Sequence, residues 1–143
     1  MDDIRQSVSF RAPIERVWVF ITDSELIAKW LMPNTFQAEL GHVFSMDCPP
    51  GIGSGAPIRS VVTDLAPPAG SKSARLSYTW EIDEPELRTE VRMELRETDG
   101  VTRLDLVHTG WQDLAPQHEH VRQRHDEGWV HLLGQVLRAL VES

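Results

Sequence analysis

HEHVRQRHDEGWVHLLGQVLRALV, residues 118–141, is the stretch that decides the fold. Its second half sets Trp129, Leu132, Leu133, Val136, Leu137 and Leu140 at helical spacing, whereas its first half is charged and rich in histidine. About 24 residues rising 1.5 Å each give a helix of roughly 36 Å, the width of a small sheet. Gly128 and Gly134 lie inside it; each costs about 1 kcal/mol relative to alanine and points to close contact or slight bending. One long amphipathic helix needs an apolar surface to cover, and almost everything before it has the period of strands.

Working outward, Ile4, Gln6, Val8 and Phe10 alternate with Arg5, Ser7, Ser9 and Arg11, the pattern of a half-buried strand. Pro13 opens a short helix over residues 13–21 that carries Ile14, Val17, Trp18 and Ile21. Asp23 and Ser24 offer the cap of a second helix over residues 25–30. The period then returns to two. Phe36, Ala38 and Leu40 predict one strand, Gly41-His42 a turn, and Phe44, Met46 and Cys48 the next strand. The Gly- and Pro-rich run over residues 49–57 predicts a connection inside the sheet. Its glycines lack the Gly-Lys-Ser/Thr ending of a phosphate loop. Further strands are predicted over residues 58–65, 75–82, 87–96 and 102–109. Asp99-Gly100 is the clearest hairpin signal. One face of these strands collects Leu76, Tyr78, Trp80, Val91, Met93, Leu95, Leu104, Leu106 and His108, and the other is charged, so the sheet has a wet side and a dry side.

With 143 residues the chain has the length of one ordinary domain, 1–143, able to bury a core without disulfides. The single Cys48 has no partner for an intramolecular bridge, fits a reducing compartment and reads as a small buried hydrophobe. A net charge of −8 opposes binding to nucleic acid or anionic lipid, and no apolar run is long enough to span a bilayer. The N-terminal residues lack the pattern of a secretory signal, so a cytoplasmic location is expected.

Several short motifs, in order, carry a resemblance: Ala12-Pro13-Ile14-Glu15-Arg16-Val17-Trp18, Thr22-Asp23 with Trp30, Leu76-Ser77-Tyr78-Thr79-Trp80, Thr102-Arg103-Leu104, His108-Thr109-Gly110-Trp111 and Gly128-Trp129. Together they resemble the Hsp90 ATPase activator-like family of START-like proteins. The resemblance implies an α+β helix-grip fold, in which a curved antiparallel sheet of about seven strands (β-α-α-β6-α) wraps around the long C-terminal helix. It also implies an internal cavity between sheet and helix, and either a small apolar or amphipathic ligand or an Hsp90-type chaperone as partner. A monomer or weak homodimer is expected. The superfamily includes carriers, cyclases and a co-chaperone domain, so fold does not give function.

The candidate ligand-binding residues are Trp30, Phe44, Met46, Tyr78, Trp80, Met93, His108, Trp129 and Leu132, an aromatic and sulfur-rich set suited to an apolar ligand and equally to a filled core. His108 is carried inward by strand alternation and could orient a ligand polar group or act as an acid or base; the alternative is a hydrogen bond to a neighbouring backbone carbonyl or to the loop of Trp111 that fixes the strand end. His118, His120, His125 and His131 share no i, i+4 pair of the kind helical zinc sites use, and read as a solvated face. Ser54 lacks the context of a nucleophile elbow, and Ser45 and Ser60 have no assigned base. No catalytic residue, metal or cofactor is assigned.

Overall fold

In the computed structural model, which describes residues 1–49 and 55–143, the chain opens with β1 (Ile4–Phe10), α1 (Ile14–Thr22) and α2 (Ser24–Trp30). Strands β2 (Val43–Met46), β3 (Ile58–Ala66), β4 (Ser73–Asp83), β5 (Glu86–Thr98) and β6 (Val101–Thr109) follow. Short 3-10 turns at Trp111–Asp113 and Pro116–His118 lead into the final helix. That helix is built from α3 (Glu119–His131), a π-helical stretch (Leu132–Leu137) and α4 (Arg138–Val141). Among the described residues six strands form one curved antiparallel sheet in the order β1-β6-β5-β4-β3-β2. No helix among them is long and apolar enough to cross a membrane.

Local chemistry accounts for these boundaries. Asp99 and Gly100 take φ of 52° and 79° between the paired residues Thr98 and Val101, as a two-residue hairpin with positive φ at both positions requires. The Asp23 carboxylate accepts from the Leu26 N–H (3.1 Å) and caps α2. Helix α1 begins after Pro13 with no cap of its own. Glu97 of β5 supplies one, accepting from the Ile14 N–H at 2.8 Å, while Lys72 Nζ lies 3.1 Å from its other oxygen. Those two bonds, the backbone one foremost, hold the Glu97 carboxyl below its ordinary value. Arg16 of α1 donates in turn to the Val141 carbonyl at 2.5 Å, satisfying the end of the final helix.

The expected strand over residues 36–40 does not form, and the sheet has six strands instead of seven. Residues just before it take the free edge of β2: Thr35 N–H donates to the Ser45 carbonyl (3.1 Å) and Asp47 N–H to the Pro33 carbonyl (2.8 Å). With that edge occupied, Phe36 turns into the core against Phe44, and the chain folds back through Gly41 at φ 83°. Leu40 is left 66% exposed, so its place in the alternation carries no burial. Cys48, expected on β2, lies beyond its end and is half-buried; burial, with Asp47 adding, pushes its thiol pKa up.

The final helix runs through residues 119–141 as expected, but with a π stretch that periodicity did not predict. Its buried residues are Trp129, Leu133, Leu137 and Val141, four apart. An α-helix drifts about 40° over every four residues, so three such steps would rotate Val141 well away from the sheet. The wider π turns offset that drift and keep one face on the core. The close contact expected at the two glycines is absent, since a Cβ at Gly128 or Gly134 would meet nothing within 4 Å. Gly128→Ala is therefore expected to raise stability by about 0.5–1 kcal/mol in urea unfolding. A loss of stability would show that Gly128 is needed for a contact or bend.

Candidate functional site

Alternation along β4, β5 and β6 brings Trp80, Thr89 and His108 to the inner face of the sheet, where the register sets Trp80 opposite Thr89 and Val91 opposite His108. The final helix sets His125 and Trp129 against them, one helical turn apart. Trp129 Nε1 donates to His108 Nδ1 at 3.1 Å, and Trp80 Nε1 donates to His125 Nε2 at 3.3 Å. Sheet and helix thus each contribute one tryptophan and one histidine, and each indole N–H bonds the imidazole of the other layer.

An indole nitrogen only donates, so His108 Nδ1 carries no proton. The proton sits on Nε2, 2.7 Å from Thr89 Oγ1, and the threonine hydroxyl passes its own hydrogen to the Trp80 carbonyl at 2.7 Å. In the same way the Val121 carbonyl accepts at 2.8 Å from His125 Nδ1, which leaves Nε2 as the acceptor for Trp80. Both imidazoles are neutral. Burial, with His125 adding, holds the His108 pKa well below 6.5, and burial lowers that of His125 against the raising effect of its bond to Val121. Both nitrogens of His108 are engaged by side chains, Nε2 by Thr89 and Nδ1 by Trp129, and the residue is 0% exposed.

Trp111 closes this cluster, with ring centroids 4.8 Å from His108 and 5.0 Å from His125. It is placed by Gly110, whose φ of 102° strains any other residue and whose Cβ would stand 3.0 Å from the Arg88 carbonyl oxygen and from Thr89 Cα. Gly110→Ala is expected to cost about 1–3 kcal/mol, read as a fall in thermal midpoint, with a change in tryptophan emission as Trp111 moves. An unchanged midpoint would show that the turn relaxes freely.

Of the nine candidate residues, Trp80, His108 and Trp129 share this cluster, with Trp80 and Trp129 centroids 5.4 Å apart. Phe44 and Tyr78 form a second, with edge-to-face rings 5.3 Å apart and Phe36 beside both. Met46 and Met93 are buried in the core, and Trp30 is buried with its indole donating to the Phe20 carbonyl at 2.8 Å. Leu132 is only half-buried, packed at the margin of the core. The grooves on the surface of the described residues include one of about 350 Å³ by Met1, Asp2, Glu119 and Arg122 and one of about 500 Å³ by Phe10, Arg11, Arg138 and Glu142. Neither lies between the inner face and the helix. Two buried polar atoms have no partner among the described residues, Ser60 Oγ and Trp111 Nε1. The register of Arg59 with Glu81 and Val62 with Tyr78 places Ser60 beside Trp80.

His125 was expected on a solvated face and is instead largely buried in the cluster. The available signal was its i, i+4 relation to Trp129, which puts both on one side of the helix. Thr89 carried no signal of its own, and Trp111 entered only through the motif His108-Thr109-Gly110-Trp111. Ser54 lies outside the described residues. Among the described residues no group of three or more His, Cys, Asp or Glu could hold a metal.

A curved antiparallel sheet that presses its dry face onto one long C-terminal helix, after two small helices, defines a helix-grip protein. Residues 11–142 match the family described as Activator of Hsp90 ATPase homolog 1-like protein, and the chain belongs to that family. Similar solved structures include protein BH1534 from Bacillus halodurans, 35% identical over 99% of this chain and 98% of that one, with a TM-score of 0.79. Protein MLL2253 from Mesorhizobium loti is 24% identical over 97% and 96%, with a TM-score of 0.81. The Aha1 dimer from Colwellia psychrerythraea is 17% identical over 95% and 96%, with a TM-score of 0.67. No curated protein matches the chain.

Proposed function

We propose that the chain binds a small apolar or amphipathic molecule between the inner face of the sheet and the final helix. The observation that carries this reading is the pair of unpartnered polar atoms, Ser60 Oγ and Trp111 Nε1, buried within an otherwise aromatic and aliphatic interior. A buried polar group without a partner costs about 1–3 kcal/mol, and a ligand that offers it one recovers that energy while burying its own apolar surface. Because side chains fill the interior, the ligand must displace some of them. The π-helical turns over Leu132–Leu137, which include half-buried Leu132, are the part of the helix suited to yield.

Native mass spectrometry and tryptophan fluorescence against fatty acids and polyhydroxylated aromatic compounds test the reading. A binder should raise the thermal midpoint, and Ser60→Ala or Trp111→Phe should weaken it about tenfold while the fold is kept. A panel that leaves both emission and midpoint unchanged removes the proposal.

The family match favours a second reading, regulation of an Hsp90-type chaperone. It requires that the chain bind the chaperone of its own organism at micromolar concentration and raise its ATPase rate; absence of binding discards it. Self-association is compatible with either reading, and one structural neighbour is itself a dimer.

A further inference from the structure

The grooves by Met1 and Arg122 and by Arg11 and Glu142 both lie where the chain around β1 runs beside the final helix. Strand and helix are parallel there and stapled at three points. Arg122 donates to the Asp2 and Asp3 carbonyls (2.7 and 3.2 Å), Gln6 Nε2 donates to Asp126 Oδ1 (2.6 Å), and Glu142 accepts from the Arg11 N–H (2.7 Å). β1 is an edge of the sheet. Among the described residues, its one backbone hydrogen bond outside the β6 ladder is the Phe10 carbonyl accepting from Ala12 N–H at 2.9 Å. A seven-residue edge strand without proline or bulge is a template for pairing with another strand.

We propose that a second copy of the chain closes this edge, β1 pairing antiparallel with β1 of the copy about a twofold axis at Ser7, so that two sheets become one. The charge pattern is self-complementary about that axis. In this register Ile4 meets Phe10, Arg5 meets Ser9 and Asp3 meets Arg11, and inward residues stay with inward residues. The helix beside the strand repeats the pattern. Arg122, Asp126, Val130, Gly134, Arg138 and Glu142 are spaced by four, a spacing the π turns hold on one face, and three of them make the staples to β1. Reversed about its centre, this row sets Arg122 against Glu142, Asp126 against Arg138, and the 52%-exposed Val130 against the open space at Gly134. An isologous dimer demands a surface that matches itself when turned through a half circle, and strand and helix both do. An extended peptide from another protein would use the strand edge and leave the helix pattern without purpose.

Sedimentation of the full chain, with variants whose folding is checked by thermal unfolding, tests this. The wild type should dimerise with increasing concentration. Arg11→Asp, which sets two carboxylates face to face, should raise the dimer Kd at least about tenfold, and adding Asp3→Arg should restore it. Ser7→Lys, exposed and facing its own copy, should abolish the dimer. A chain that stays monomeric to about 1 mM overturns the proposal, whether or not its edge takes up peptides. So does a dimer whose Kd is indifferent to Ser7→Lys, or an Arg11→Asp defect that Asp3→Arg fails to repair.

Discussion

Replacing Trp129 by alanine is expected to remove about 3–5 kcal/mol of stability. The indole is buried, packs on Trp80 at 5.4 Å and donates to His108. Truncation leaves a cavity in the contact between helix and sheet and strips the acceptor Nδ1 of His108 of its partner inside the core. Trp129→Phe separates the two contributions, because it keeps most of the ring volume and loses the N–H; about 1–2 kcal/mol is expected from the unpaired imidazole. Urea unfolding checks both. A cost below about 1 kcal/mol for the alanine variant would mean that the crossed tryptophan and histidine pairs do not hold the helix to the sheet.

Acidification should have the second large effect. His108 and His125 both accept an indole N–H, which an imidazolium cannot do, and both fold with pKa values held below 6.5 by burial. The unfolded chain therefore binds these protons first. Stability is fully present above the unfolded pKa and falls as pH drops below about 6.5, by about 1.4 kcal/mol per pH unit for each histidine until its folded pKa is reached. The carboxylates whose pKa values are lowered, Asp64 and Glu97, stay ionised between pH 7.5 and 5.5. Urea midpoints at pH 7.5, 6.5 and 5.5 should decline in the wild type, and His125→Gln should have a shallower slope. Equal slopes in the two proteins would place the acid sensitivity elsewhere.

The architecture was legible because it rests on periodicity. The alternation of Ile4, Val8 and Phe10, the Asp99-Gly100 turn and the apolar run from Trp129 each report one local preference that burial then satisfies. Where local pattern and tertiary competition disagreed, the reading failed. Residues 36–40 alternate like a strand, yet Pro33 to Thr35 already occupied the neighbouring edge of β2. The spacing of the final helix was read as α, although a four-residue repeat stays on one face only if some turns widen.

The candidate site divides in the same way. His108, Trp80 and Trp129 were visible as inward positions of their elements. His125 was misjudged because its charged neighbours dominated the helix, and Thr89 and Trp111 became meaningful only when two strands and a turn met. Hydrogen-bond direction needs partners from distant parts of the chain, such as His108 and Trp129, 21 positions apart.

The sequence by itself determined that a one-sided antiparallel sheet would close on a C-terminal helix, since strand and helix periods are local properties of the chain. Only the tertiary structure decided which histidines are neutral, which polar atoms lack partners and which strand edge lies open. Each of these depends on what fills the space beside a residue, and in this fold that neighbour comes from far away in the chain.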